Sequence, residues 1–213
     1  MNAGDLLTKQ HILSDYRHAA RQDPTADDSS ASQVRGIVYL ETDRRLLPAS
    51  ADTPLEEWAL QPLEEIKFLR SIVNGEYGAR DAQMLLGLVP WAPVDREVGV
   101  FERWLNLAEE TAGPETWRRV KGFRFLLQGI TDRAVFEDLV LGEGFVAVLK
   151  SFRDKGRRFS FDVGVDQHSG GVWQLETVAQ AIEKVHAGVE DEEQKTVFVL
   201  SMYIRPTRDL ERC

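Results

Sequence analysis

The sequence predicts an α/β chain built on a parallel sheet. Two patterns carry that prediction. Five short apolar or β-branched runs recur along the chain: GIVYLE (36–41), MLLGLVPW (84–91), VKGFRFLL (120–127), FSFDVGV (159–165) and TVFVLSMYI (196–204). Each gap between them holds a segment with helical periodicity, so consecutive strands are parallel with right-handed crossovers. The order βαβαβαβαβ is that of a parallel α/β sheet. Two architectures fit it, an open doubly wound sheet and part of a (β/α)8 barrel.

The elements follow in order. Ile12, Tyr16 and Ala20 recur at helical spacing and predict a short helix over 13–22. DPTADDSSASQ (23–33) is acidic, Ser-rich and free of large apolar groups, so it reads as a loop. After the first strand, TPLEEW (53–58) carries a helix start: Thr53 as cap, Pro54 at the first helical position and Glu56 in a capping box. Ile66, Leu69, Ile72 and Val73 continue the stripe, and Gly75 closes it. Phe101, Trp104, Leu105 and Ala108 mark the next helix, which stops near Gly113–Pro114. Thr131 caps a helix over about 132–141, and another runs from about 143 to 155, ending at Gly156. Leu175, Val178, Ala179, Ile182 and Val185 form the last stripe. The β/α elements thus begin at residue 36, after an N-terminal helix and loop (1–35).

Composition excludes several classes. In 213 residues, 43% hydrophobic and 29% charged is ordinary globular content, not that of a disordered or fibrous chain. A net charge of −9 without a Lys/Arg block disfavours nucleic acid and anionic membrane as partners. The single Cys, Cys213, excludes an internal disulfide and a Cys-based zinc site. The opening residues lack a secretory pattern, and no apolar run nears the ~20 residues that span a bilayer. The expected location is the cytoplasm.

In parallel sheets, functional groups gather where strands end. The strand ends supply Glu41, Thr42 and Asp43; Trp91 and Asp95; Arg124 and Gln128; Asp162, Asp166, Gln167 and His168, then Ser169-Gly170-Gly171; and Ser201, Met202, Tyr203 and Arg205. Carboxylates, amides, a guanidinium and an imidazole on one rim suit a polar, oxygenated small molecule. Each residue also has a plainer reading. Glu41 and Asp43 can cap a loop. Trp91 reads more readily as packing than as a stacking surface. Arg124 lies inside an apolar strand and needs a carboxylate, either Asp162 on the neighbouring strand or a ligand. His168 suits a site or a solvated loop equally. His11, His18 and His186 look peripheral, His186 as a helix-end residue. No H-x-H, H-E-x-x-H, G-x-S-x-G, G-x-G-x-x-G or Walker motif occurs, so no complete catalytic constellation or nucleotide fingerprint is present.

Several of these runs resemble the sugar-acid lactonase branch of the amidohydrolase-related superfamily: GIVYLETDR (36–44), PLEEIKFLRSIVNG (62–75), LLGLVPWAPV (85–94), WRRVKGFRFLLQGI (117–130) and FSFDVGVDQHSGGVWQLE (159–176). The last two are the most specific. KQHILSDYRHA (9–19) also resembles the helix after that family's first strand. The resemblance implies a partial (β/α)8 TIM barrel, about five parallel strands with helices on the outer face. It implies a hydrolase that opens an aldonolactone, such as L-rhamnono-gamma-lactone, to the aldonic acid. Arg124, Gln128, Asp162, Gln167 and His168 carry over as substrate-rim residues, Glu41 and Trp91 more weakly.

The resemblance has three departures. The family's first-strand H-x-H pair has no counterpart here. Ser201 and Met202 stand where the family has Asn and His, and a thioether does not replace imidazole for zinc. The chain ends at Cys213, before the seventh and eighth strands and the Asp of the last, and TRDLERC after Pro206 does not resemble the family, so the resemblance implies an incomplete (β/α) barrel domain over 36–206 and a non-family tail over 207–213. Some family members use a divalent metal such as zinc; no metal ligand carries over, and no cofactor is evident. The alternative function is a catalytically incompetent barrel fragment or a non-enzymatic sugar-acid-binding remnant. Five strands do not close a barrel, so exposed strand edges and self-association are expected.

Overall fold

A computed structural model describes residues 12–22, 34–42, 46, 53–165 and 171–202 of the chain. The elements in order are α1 (Leu13–Gln22), β1 (Ile37–Leu40), α2 (Leu55–Trp58), α3 (Leu60–Val73), α4 (Ala79–Met84), β2 (Leu85–Val89), α5 (Val98–Trp117), β3 (Gly122–Leu126), α6 (Arg133–Val140), α7 (Glu143–Ser151), β4 (Ser160–Val165), α8 (Val172–His186) and β5 (Val197–Met202). All five expected strands are among them.

The strands pair in parallel, β1 with β2 in one small sheet and β3–β4–β5 in another. Two parallel bridges, Leu88 to Val120 and Trp91 to Arg124, join the two sheets. Strand order therefore follows chain order without reversal, and the described strands form no closed barrel. Gly122 permits the approach of β4, since a Cβ there would lie 2.1 Å from the Ser160 carbonyl oxygen. Between β1 and β2 the register slips at Ile37/Val38, leaving Leu86 as the extra residue of a bulge.

Side chains alternate across β3 and β4. Phe123, Phe161, Val163 and Val165 enter the main core, where they meet Phe101 and Trp104 of α5, Phe145 of α7 and Phe152. Phe123 is fully buried, with Trp104 at 5.4 Å and Phe159 at 4.8 Å between ring centroids. Leu69, Ile72, Val73, Leu85 and Leu88 form a smaller second core between α3 and β2. The opposite face carries Gly122, Arg124, Asp162 and Gly164, and in β5 the half-exposed Val197 and Val199.

Local differences from the sequence reading have local causes. Pro54 is the N-cap of α2, because its own carbonyl accepts from Glu57 N at 3.1 Å, so this helix starts one residue later than expected. Asp132, not Thr131, caps α6, its carboxylate accepting from Val135 N at 3.0 Å. Helix α5 breaks at Gly113 (φ 69°) as expected, and Pro114 then starts one further turn to Trp117. Helix α4 has no apolar stripe and was not expected. Charge and backbone acceptors hold it: Arg17 pairs with its buried Asp81, and Arg119 donates to the carbonyls of Ala82 and Leu85. His186 is not merely a surface residue at a helix end. Its Nε2 lies 2.9 Å from the Thr196 carbonyl oxygen and its ring packs on Phe198, tying α8 to β5.

The expected loop 23–33 and tail 207–213 lie outside the described residues. Among the described residues, no helix is long and apolar enough to cross a membrane.

Candidate functional site

Arg124 occupies the middle of β3, directly opposite Asp162 of β4. A guanidinium in a strand of apolar neighbours needs anionic company, because an unpaired buried charge is costly. The fold supplies it twice. Arg124 Nε lies 3.4 Å from Asp162 Oδ1 and 3.7 Å from Glu41 Oε1. The side chain of Arg124 is 13% exposed, that of Asp162 4% and that of Glu41 1%. Glu41 reaches this position from the residue that follows β1, where its N–H donates to the Val89 carbonyl at 3.0 Å.

Glycine shapes the bed under the guanidinium. A Cβ on Gly164 would lie 3.0 Å from Arg124 Nη2 and 3.3 Å from Nε, so the absence of a side chain on β4 lets the Arg124 head lie across it. Asp162 is oriented from its other side: Ser201 Oγ on β5 donates to Asp162 Oδ2 at 2.7 Å. Asp162 Oδ1 and Arg124 Nε are buried and make no hydrogen bond. At 3.4 Å the two attract by charge, but the contact is longer than a good charge-assisted hydrogen bond.

The structure brings three of the rim residues together: Arg124, Asp162 and Glu41. Gln128 joins them by position, its N–H donating to the Gly164 carbonyl at 3.0 Å just beyond the end of β3. Trp91 does not join them through its side chain. Its backbone bridges to Arg124, while its indole packs edge-on against Trp58 at 5.9 Å and Trp104 at 5.7 Å inside the core. The packing reading of Trp91 is the one its surroundings support. Gln167 and His168 lie outside the described residues, as do Asp43, Asp166, Ser169, Gly170, Tyr203 and Arg205.

Asp95 sits beyond Trp91 at the same end of β2. Burial pushes its carboxyl above the usual carboxylate range, against the opposing pull of Arg96 and of a backbone hydrogen bond. Arg96 Nε is 3.3 Å from Asp95 Oδ2, and the Arg96 guanidinium lies 5.5 Å from the centre of the Trp58 ring.

Sequence reasoning passed over Glu65. It is buried on α3 and accepts from Tyr39 Oη at 2.6 Å and Thr42 Oγ1 at 2.7 Å, next to Glu41 in the chain. Its signal was a carboxylate inside the apolar stripe Leu63–Ile66–Leu69. A divalent ion does not fit the Arg124 group as it stands, because the guanidinium already engages both carboxylates. Among the described residues, no three His, Cys, Asp or Glu side chains converge to hold one elsewhere.

No family model matches this chain, and no solved structure matches it. A curated L-rhamnono-gamma-lactonase from Scheffersomyces stipitis is 25% identical to it over 174 residues. That match covers 78% of this chain and 48% of the relative, so the chain spans about half the length of the curated protein it matches. What the comparisons support is a distant, lactonase-like relationship.

Proposed function

We propose that this chain forms an arc of a (β/α)8 barrel and that its rim holds a sugar-acid lactone for hydrolysis to the aldonic acid. One observation carries the reading: a buried guanidinium, Arg124, set between Asp162 and Glu41 on the face of the strands turned away from the helix core. The unreversed strand order and the likeness to a lactonase support it.

In this reading the planar donor fork of Arg124 binds the lactone carbonyl oxygen and draws charge toward it. Water adds to the carbonyl carbon, the ring C–O bond breaks, and the ring oxygen takes a proton. A donor aimed at an oxygen that gains charge during the reaction lowers the barrier more than it tightens ground-state binding. Glu41 and Asp162 hold the guanidinium in place, Gln128 is offered to the sugar hydroxyls from just beyond β3, and the family resemblance assigns Gln167 and His168 to the same task.

The test is pH-stat titration of the purified chain with a panel of aldonolactones, with and without added divalent metal. The expected result is acid release above the spontaneous rate for at least one lactone. Release at the spontaneous rate throughout contradicts hydrolysis. If a polyhydroxylated lactam still binds under those conditions, the rim is a sugar-acid-binding surface instead.

A further inference from the structure

We propose that Ser201 is a positioning residue: its hydroxyl fixes the rotation of the Asp162 carboxylate and so sets the direction in which the Arg124 fork faces. Asp162 has two oxygens and two neighbours. Oδ2 accepts from Ser201 Oγ at 2.7 Å, which turns Oδ1 toward Arg124 Nε at 3.4 Å. Neither Oδ1 nor Nε has a hydrogen bond of its own, so the Ser201 contact is the directional one, while the ion pair constrains distance more than angle.

The three residues stand on three adjacent strands. Arg124 is opposite Asp162, and Ser201 is opposite Gly164, the residue over which the guanidinium lies. A chain of contacts thus runs from β5 through β4 to β3. Without the hydroxyl, the torsion of the Asp162 carboxylate is no longer pinned, and the guanidinium facing it loses its fixed plane. Preorganisation of that plane is what a carbonyl-binding fork requires.

The activity side of this inference rests on the lactone reading; the geometric side does not. The experiment therefore has two readouts on one pair of variants. Ser201→Thr keeps the hydroxyl, and Ser201→Val has the same shape without it; both are β-branched and suit a strand. The first readout is the Nε–Hε signal of Arg124 in a proton–nitrogen correlation spectrum, assigned by its loss in Arg124→Lys. The second is calorimetric affinity for a polyhydroxylated γ-lactam, a neutral and stable mimic of the lactone.

The expected result is a parent-like Arg124 signal in Ser201→Thr and a shifted or broadened one in Ser201→Val. Affinity for the lactam should fall about tenfold in Ser201→Val alone, as the fork, no longer held in plane, loses about one charge-assisted hydrogen bond to the lactam carbonyl. The same Arg124 signal and the same affinity in both variants would overturn the proposal. A signal that moves only in Ser201→Val, in a chain that binds no lactam, supports the positioning role and removes the lactone reading.

Discussion

The two faces of β3 and β4 differ by one residue in register and by almost everything in chemistry. Phe123 and Phe161 look into a core of stacked and edge-on rings, with Phe101, Trp104, Phe145 and Phe152 around them. Arg124 and Asp162, one step along each strand, carry opposite charges on the other side, above a glycine. Side chains of a strand alternate, so a single chain can close one face by packing and keep the other for polar work. Substitutions on the two faces should therefore act in different ways. On the packed face they change stability; on the charged face they change stability through electrostatics and ligand binding through geometry.

The largest effect is expected on the packed face. Phe123→Ala removes a fully buried ring with five aromatic neighbours and should cost about 3–5 kcal/mol in urea denaturation. A loss under about 1 kcal/mol would mean that this face is not the structural one. Next comes Arg124→Met, which keeps the bulk and strips the charge. It removes the guanidinium that faces the buried Asp162 and Glu41 carboxylates and should cost about 3 kcal/mol. Adding Asp162→Asn should recover part of that loss, because one uncompensated charge goes with it. If the double variant is less stable than the single one, repulsion between carboxylates is not what Arg124 relieves.

The smallest effect concerns Asp95 at the rim. Its folded-state pKa is raised, so the folded chain holds the proton longer than the unfolded chain. Stability should therefore fall as pH rises from the ordinary carboxylate range through the raised value. Asp95→Asn removes that fall. It should raise Tm by about 1–3 °C at neutral pH and leave it unchanged in acid, below the ordinary carboxylate range, as followed by thermal unfolding across pH. A lower Tm at pH 7 would show that the Arg96 pairing outweighs the burial.

The fold was legible to different depths in its different parts. The five strands were legible because each is a compact apolar run between breakers, and Gly75 and Gly113 marked helix ends that the structure keeps. Helix α4 was not legible: six residues without an apolar stripe are held from outside by Arg17 and Arg119, and such support leaves no periodic trace. The site was legible in the same graded way. A lone arginine in FRFLL demands a partner, and register delivered Asp162. Ser201, on a strand nearly forty residues further on, shows its purpose only when β5 lies beside β4. Trp91 marked the right strand end, but its indole turns into the core, because a large ring beside Trp58 and Trp104 gains more from packing than from a rim position.

Whether the Arg124 fork holds the lactone carbonyl is read by comparing the parent chain with Arg124→Lys in pH-stat titration of the aldonolactone the parent opens fastest. Lysine keeps the positive charge between Glu41 and Asp162 but not the planar donor fork. If the fork holds the carbonyl oxygen, the catalysed rate falls at least about a hundredfold, in keeping with removal of one oxyanion-binding donor, while thermal unfolding stays close to that of the parent. Hydrolysis of the lactone by Arg124→Lys at the parent rate would show that the fork does not hold the carbonyl oxygen.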